Sequence, residues 1–339
     1  MAMKTVLAFL LCASSLLAET VRIRVHGSGL EGNLAGDTAD PAVTVYLPPS
    51  YAKNAKARFP VLYLLHGFTD TDEQWMGARK HFVNVPEIAG RVMGAGGARE
   101  MIIVMPNAMT RFQGSMYSTS PVTGDWEGFV AGDLVRYIDS HYRTLARPES
   151  RGLAGHSMGG YGTIRIAMRR PGVFSSIYAM SPCCLQPPAA LQGAAKAEAV
   201  KSLDDIAKAD FGTKAMLASA AAWSPNPQNA PLFIDLPVKN GETQPAVLAR
   251  WAANAPMAML DQYAANLRSL RAIAIDAGDK DRLTATAREF DALLTSRGVT
   301  HSFSIYDGDH VNHVADRVAE QVLGFFSRNL TFEAQGTGR

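Results

Sequence analysis

Cysteine is scarce in this chain, with three among 339 residues, at positions 12, 183 and 184. Cys183 and Cys184 are neighbours and cannot staple distant parts of a fold, so stability must come from a large core rather than a disulfide framework. They fit either a strained vicinal disulfide or two buried thiols after a core strand. No C-x-x-C occurs, and His and acidic residues are not paired at ligand spacings, so neither a metal nor another cofactor is expected. An excess of one charge sign is also lacking. The net charge is +2 and no run of Lys and Arg marks a basic patch, which removes the usual grounds for nucleic acid or an anionic membrane as a partner.

What is present is apolar material in organised runs. Hydrophobic residues make up 47% and charged residues 19%, which suits one α/β domain carrying insertions. Residues 1–18 have the order of a signal peptide: Lys4, an apolar stretch over 5–17 too short to span a bilayer, and Ala18 at a cleavage position. Cys12 has no small residue immediately before it, which argues against a lipid anchor, and it would leave with the peptide. The expectation is a secreted or periplasmic protein without a membrane anchor, its domain covering 19–339.

Residues 20–26 and 42–47 alternate apolar and polar side chains, as half-buried antiparallel strands do. Residues 59–65 and 101–105 are continuous apolar runs of the kind that fill central strands, and 150–154, 174–180 and 272–276 read as further buried strands. Helical spacing over 126–142, capped by Asp125, over 161–170, over 284–297 and over 311–330 alternates with them. With a last strand at 302–306, this order predicts a mainly parallel, doubly wound sheet with helices on both faces. About ninety residues separate the strand ending at Met180 from the next, too many for a simple crossover. They predict a helical insertion, a lid or cap over about 185–270, with helical patches at 194–208 and 246–270.

The chemistry centres on Gly155-His156-Ser157-Met158-Gly159-Gly160. G-x-S-x-G is a weak pattern by itself in a chain with 29 glycines. Between an apolar strand and a helix it becomes an elbow that lifts a serine hydroxyl clear of the sheet edge. A serine needs a base and a group to orient that base, and on this architecture they follow as acid, then His, after late strands. His310 is preferred over His313, which falls where the last helix begins; His301 and His141 read as structural, and His156 as packing beneath the serine. For the acid, Asp281 is favoured over Asp279, with Asp276 third. The Met158 amide and the Phe68 amide, after His66-Gly67, would bind an oxyanion. His66 reads as holding that loop.

These residues carry a resemblance. The segments Leu64-Leu65-His66-Gly67-Phe68, Gly155 to Gly162, Gly278-Asp279-Lys280-Asp281 and Gly308-Asp309-His310 resemble the esterase D-like branch of the α/β-hydrolases. That branch includes S-formylglutathione hydrolases, feruloyl and acetyl xylan esterases and mycolyltransferases. The resemblance implies a serine carboxylesterase acting on a small-molecule or polysaccharide-linked ester, feruloyl or acetyl among them, with a thioesterase or an acyltransferase as alternatives. It supports Asp281 and His310, and it implies that Trp126 and Glu127 lie near a substrate pocket. The insertion is longer than in compact members of the branch.

Overall fold

A computed structural model describes residues 18–77, 83–187 and 193–332. The expected signal peptide, apart from Ala18, lies outside the described residues.

Eight strands form one sheet: β1 Glu19–Arg24, β2 Ala42–Leu47, β3 Val61–Leu65, β4 Ile102–Pro106, β5 Arg151–His156, β6 Ser176–Met180, β7 Ala272–Gly278 and β8 Ser302–Tyr306. Their spatial order is β1-β2-β4-β3-β5-β6-β7-β8. β1 and β2 pair antiparallel, as do β2 and β4, and every later pair is parallel. The strand order reverses at β3, where β4 leaves on one side and β5 on the other; sheets of this kind place their sites beyond the carboxyl ends of strands at such a point.

Alternation along the central strands separates two cores. Val61, Tyr63 and Leu65 face one apolar cluster and Leu62 and Leu64 the other. The second face is covered by α1 Val85–Gly94 and by the C-terminal helical run that contributes Val314, Val318, Val322 and Phe326. The first is covered by the run ending in α2 Leu134–His141, by α3 Met158–Arg169, and by later helices. The run before α2 starts at Trp126 on an Asp125 side-chain cap to the Gly128 amide and is wound as a π-helix over Phe129–Asp133.

β2 departs from its half-buried reading. Val43 and Val45 pack on one cluster and Tyr46 on the other, while the Thr44 hydroxyl donates to buried Asp72 at 2.7 Å. The Asp72–Trp75 turn covers the face left for water in the sequence reading.

Between β6 and β7 the chain forms short helices Ala194–Ala199 and Leu203–Ile206, then α4 Phe211–Trp223, α5 Pro245–Ala252 and α6 Pro256–Arg268. The patch expected over 246–270 is two helices, because Pro256 lacks the amide that would continue the first. α6 lies against α3: the Asn266 side chain donates to the Met168 carbonyl at 2.6 Å, and Arg165 donates to Asn254 at 2.8 Å. Leu217, Trp223 and Trp251 join the main cluster, so the insertion continues the core. α7 Thr284–Ser296 follows β7, and α8 Leu323–Asn329 ends the C-terminal run.

Candidate active site

β5 runs directly into Ser157, whose φ of 56° and ψ of −111° put a non-glycine residue in a strained region, and α3 begins at the next residue. The flanking glycines are explained by contact distances. A Cβ at Gly155 would lie 2.3 Å from the Gly159 carbonyl oxygen, and one at Gly159 would lie 2.2 Å from the Leu65 carbonyl oxygen. The turn is thus pressed against the end of β3. The Ser157 amide donates to the Met180 carbonyl at 3.0 Å, and its carbonyl accepts from Cys183 and Tyr161.

The loops after β7 and β8 bring two side chains to this serine. His310 Nε2 lies 2.9 Å from Ser157 Oγ, and His310 Nδ1 lies 2.7 Å from Asp281 Oδ2. The other Asp281 oxygen accepts from the Leu283 amide at 2.9 Å. Burial works to raise the Asp281 pKa, but hydrogen bonds from His310 and Leu283 outweigh it and hold the carboxyl below its ordinary range. Gly278 allows the two loops to meet, because a Cβ there would lie 2.2 Å from the Gly308 carbonyl oxygen.

The other candidates are occupied elsewhere. Asp279 accepts from the Gly308 amide at 2.9 Å, and Asp276 is buried between Tyr178 and Arg317. His313 pairs with Asp316, His301 with Asp291, and His141 stacks on Tyr137. The His156 ring sits 4.8 Å from that of His310, with Nε2 2.8 Å from the His310 carbonyl oxygen, so it holds the loop that presents His310. Cys183 and Cys184 are free thiols; the hydrogen bond that the Cys183 thiol donates to Cys184, together with burial, raises the Cys183 pKa, which keeps that thiol protonated.

The segment after β3 closes the other side. A Cβ at Gly67 would lie 3.6 Å from Ser157 Cβ, which puts the Gly67-Phe68 backbone beside the hydroxyl. The Met158 amide opens α3 and has no carbonyl within the helix to bond. Buried His66 ties this loop to the segment after β4: Nε2 accepts from the Ala108 amide and Nδ1 donates to the Gly67 carbonyl, each at 2.8 Å. Accepting at Nε2 requires a neutral ring, and burial lowers the His66 pKa to about 4. The Tyr117 hydroxyl donates to the His66 carbonyl at 3.2 Å.

Trp126 and Glu127 are both buried. Trp126 is core: its indole N–H donates to the Thr123 carbonyl at 2.8 Å and its ring meets Phe129 edge-on. Glu127 is 1% exposed, with both oxygens bound by Arg165, Arg169 and Arg170. Arg165 lies seven residues along α3 from Met158, about 10 Å at the rise of a helix. Glu127 therefore neutralises buried Arg165, and the capping residue next to it announces only a helix start. Two contributors had no signal in the sequence. Gly114, where a Cβ would meet the Phe68 ring at 2.7 Å and Met158 Sδ at 2.8 Å, comes from an irregular loop after β4. Phe211 reaches Phe68 from the insertion.

A serine on a strand-to-helix elbow, at the reversal point of a sheet ordered 1-2-4-3-5-6-7-8, defines the α/β-hydrolase fold. The comparisons narrow this. The putative esterase family matches residues 38–314, and the chain belongs to that family. It is 28% identical over 291 residues to Esterase Rv1288 of Mycobacterium tuberculosis, covering 80% of this chain and 53% of that protein. The chain thus spans about half the length of that relative. It is 33% identical over 134 residues to an endo-1,4-beta-xylanase/feruloyl esterase of Xylanibacter ruminicola, covering 38% of this chain and 18% of that one. Among solved structures, a ferulic acid esterase superposes with a TM-score of 0.66 at 25% identity, covering 93% of this chain and all of that one.

Proposed function

We propose that the protein is an exported esterase that hydrolyses carboxylic esters through an acyl-enzyme on Ser157, with feruloyl or acetyl groups of plant polysaccharides as its substrates. The observation that carries this reading is the continuous hydrogen-bonded line from Ser157 Oγ through the His310 ring to Asp281. Ser157 Oγ attacks the ester carbonyl while its proton passes to His310 Nε2, and Asp281 holds the ring in the tautomer that leaves Nε2 free to accept. The carbonyl oxygen gains the negative charge and receives hydrogen bonds from the Phe68 and Met158 amides. Collapse expels the alcohol, which takes the proton from His310. Water then attacks the acyl-enzyme with His310 as base again, and the acid leaves.

Export is supported by the leader-like residues 1–18; no helix among the described residues is long and apolar enough to cross a membrane. The names of the ferulic acid esterase and of the xylanase/feruloyl esterase relative support the substrate class. The test is a panel of methyl ferulate, acetylated xylan, p-nitrophenyl acetate and S-formylglutathione. The expected result is hydrolysis of oxygen esters with the highest kcat/KM on methyl ferulate or acetylated xylan. A preference for S-formylglutathione overturns the substrate assignment.

A further inference from the structure

One side chain of the insertion stands apart from its apolar neighbours. Phe211, the first residue of α4, is 53% exposed and is the only exposed large hydrophobic among the described residues. A single exposed apolar residue is ordinary, so position must decide its meaning. Phe211 meets the Phe68 ring edge-on, with centroids 5.6 Å apart and planes at 79°. Phe68 follows Gly67, which lies against Ser157, and its ring flanks Gly114 alongside Met158 Sδ. The Asp210 side chain fixes the start of α4 by accepting from the Thr213 amide at 2.9 Å, so Phe211 sits on a capped helix end.

We infer that Phe211 and Phe68 form an aromatic wall at the mouth of the site that selects esters carrying an arene, and that Phe211 is the specificity residue the insertion supplies. A planar ring placed against this pair covers the exposed part of Phe211, and aromatic pairing adds to that burial. An acetyl ester of a small alcohol carries no ring to place there. This inference rests on the esterase reading above.

The experiment compares wild type, F211A and F211L on methyl ferulate, 1-naphthyl acetate and ethyl acetate, with thermal melts to confirm folding. The expected result is that the kcat/KM preference for an arene-bearing ester over ethyl acetate falls about tenfold in F211A, mainly through KM, with F211L between. A fall on methyl ferulate puts the arene on the acyl side, and a fall on 1-naphthyl acetate puts it on the alcohol side. An unchanged preference on both overturns the wall. Binding is read separately, by titrating ferulic acid and 1-naphthol into S157A and into S157A/F211A. Loss of all turnover in wild type would sink the esterase reading, whereas equal binding by the two variants would sink the wall alone.

Discussion

The elbow and the insertion are held together in opposite ways. Around Ser157 the backbone itself is packed: glycines at 155, 159 and 278 exist because carbonyl groups of neighbouring segments lie where a Cβ would be. Between β6 and β7 the packing is by side chains, with Trp223 and Trp251 at 5.6 Å, Tyr161 against Trp223, and the Trp251 indole donating to Ser224 at 2.8 Å. Backbone packing admits one residue type per position and gives rigid geometry. Side-chain packing admits many sequences and gives a surface that can vary. Under the proposed function, chemistry sits on the first kind of structure and selectivity on the second.

The sharpest way to break this comparison is at the carboxylates. D281N should lower kcat on a p-nitrophenyl ester by about 10^3 to 10^4-fold with the fold retained, since an amide no longer fixes the His310 tautomer. D279N, whose amide oxygen can still accept from the Gly308 amide, should change kcat by less than about threefold. Equal losses would show that the loop, and not the Asp281 contact, is what matters.

The next test sets the two packing modes side by side in thermal melts. G159A should cost about 3 kcal/mol or more and abolish activity together with stability, because nothing near the Leu65 carbonyl can yield. W251A should cost about 3 kcal/mol through its cavity while the folded protein keeps most of its turnover of a short acetyl ester. Activity loss in W251A at temperatures where it is folded would erase the distinction.

A smaller effect depends on pH. His66 has its pKa lowered from the ordinary 6.5 to about 4, so below 6.5 the unfolded chain takes up a proton that the native protein refuses. Stability is therefore fully present above pH 6.5 and declines by up to about 3 kcal/mol as pH falls toward 4. H66Q, which can still accept from Ala108, should flatten that part of the stability profile. An unchanged slope in H66Q would assign it to other groups.

The legible parts of the sequence follow the same division. The main strands along the chain, the elbow, and the Asp281 and His310 loops could be read because buried parallel strands are rich in apolar residues and tight turns demand glycine. The start of α3 at Met158, three residues before the apolar spacing suggested it, was hidden by Gly159 and Gly160, which are poor helix formers placed there for contact with β3 and β6. α4 was missed because its Ala-rich sequence is buried on nearly every side and carries little periodicity. The ion pairs of Glu127 were not legible because its three arginine partners come from α3 and the residue after it, a contact no local pattern announces.

The central claim is that the serine held at the elbow is the nucleophile, activated by His310. The most direct measurement is labelling with a fluorophosphonate, with the site read by mass spectrometry of the tryptic peptides. The account predicts a single adduct on Ser157 in wild type, none in S157A, and labelling slowed by orders of magnitude in H310A. An adduct that persists in folded S157A, or a wild-type protein that takes up no label, would contradict it.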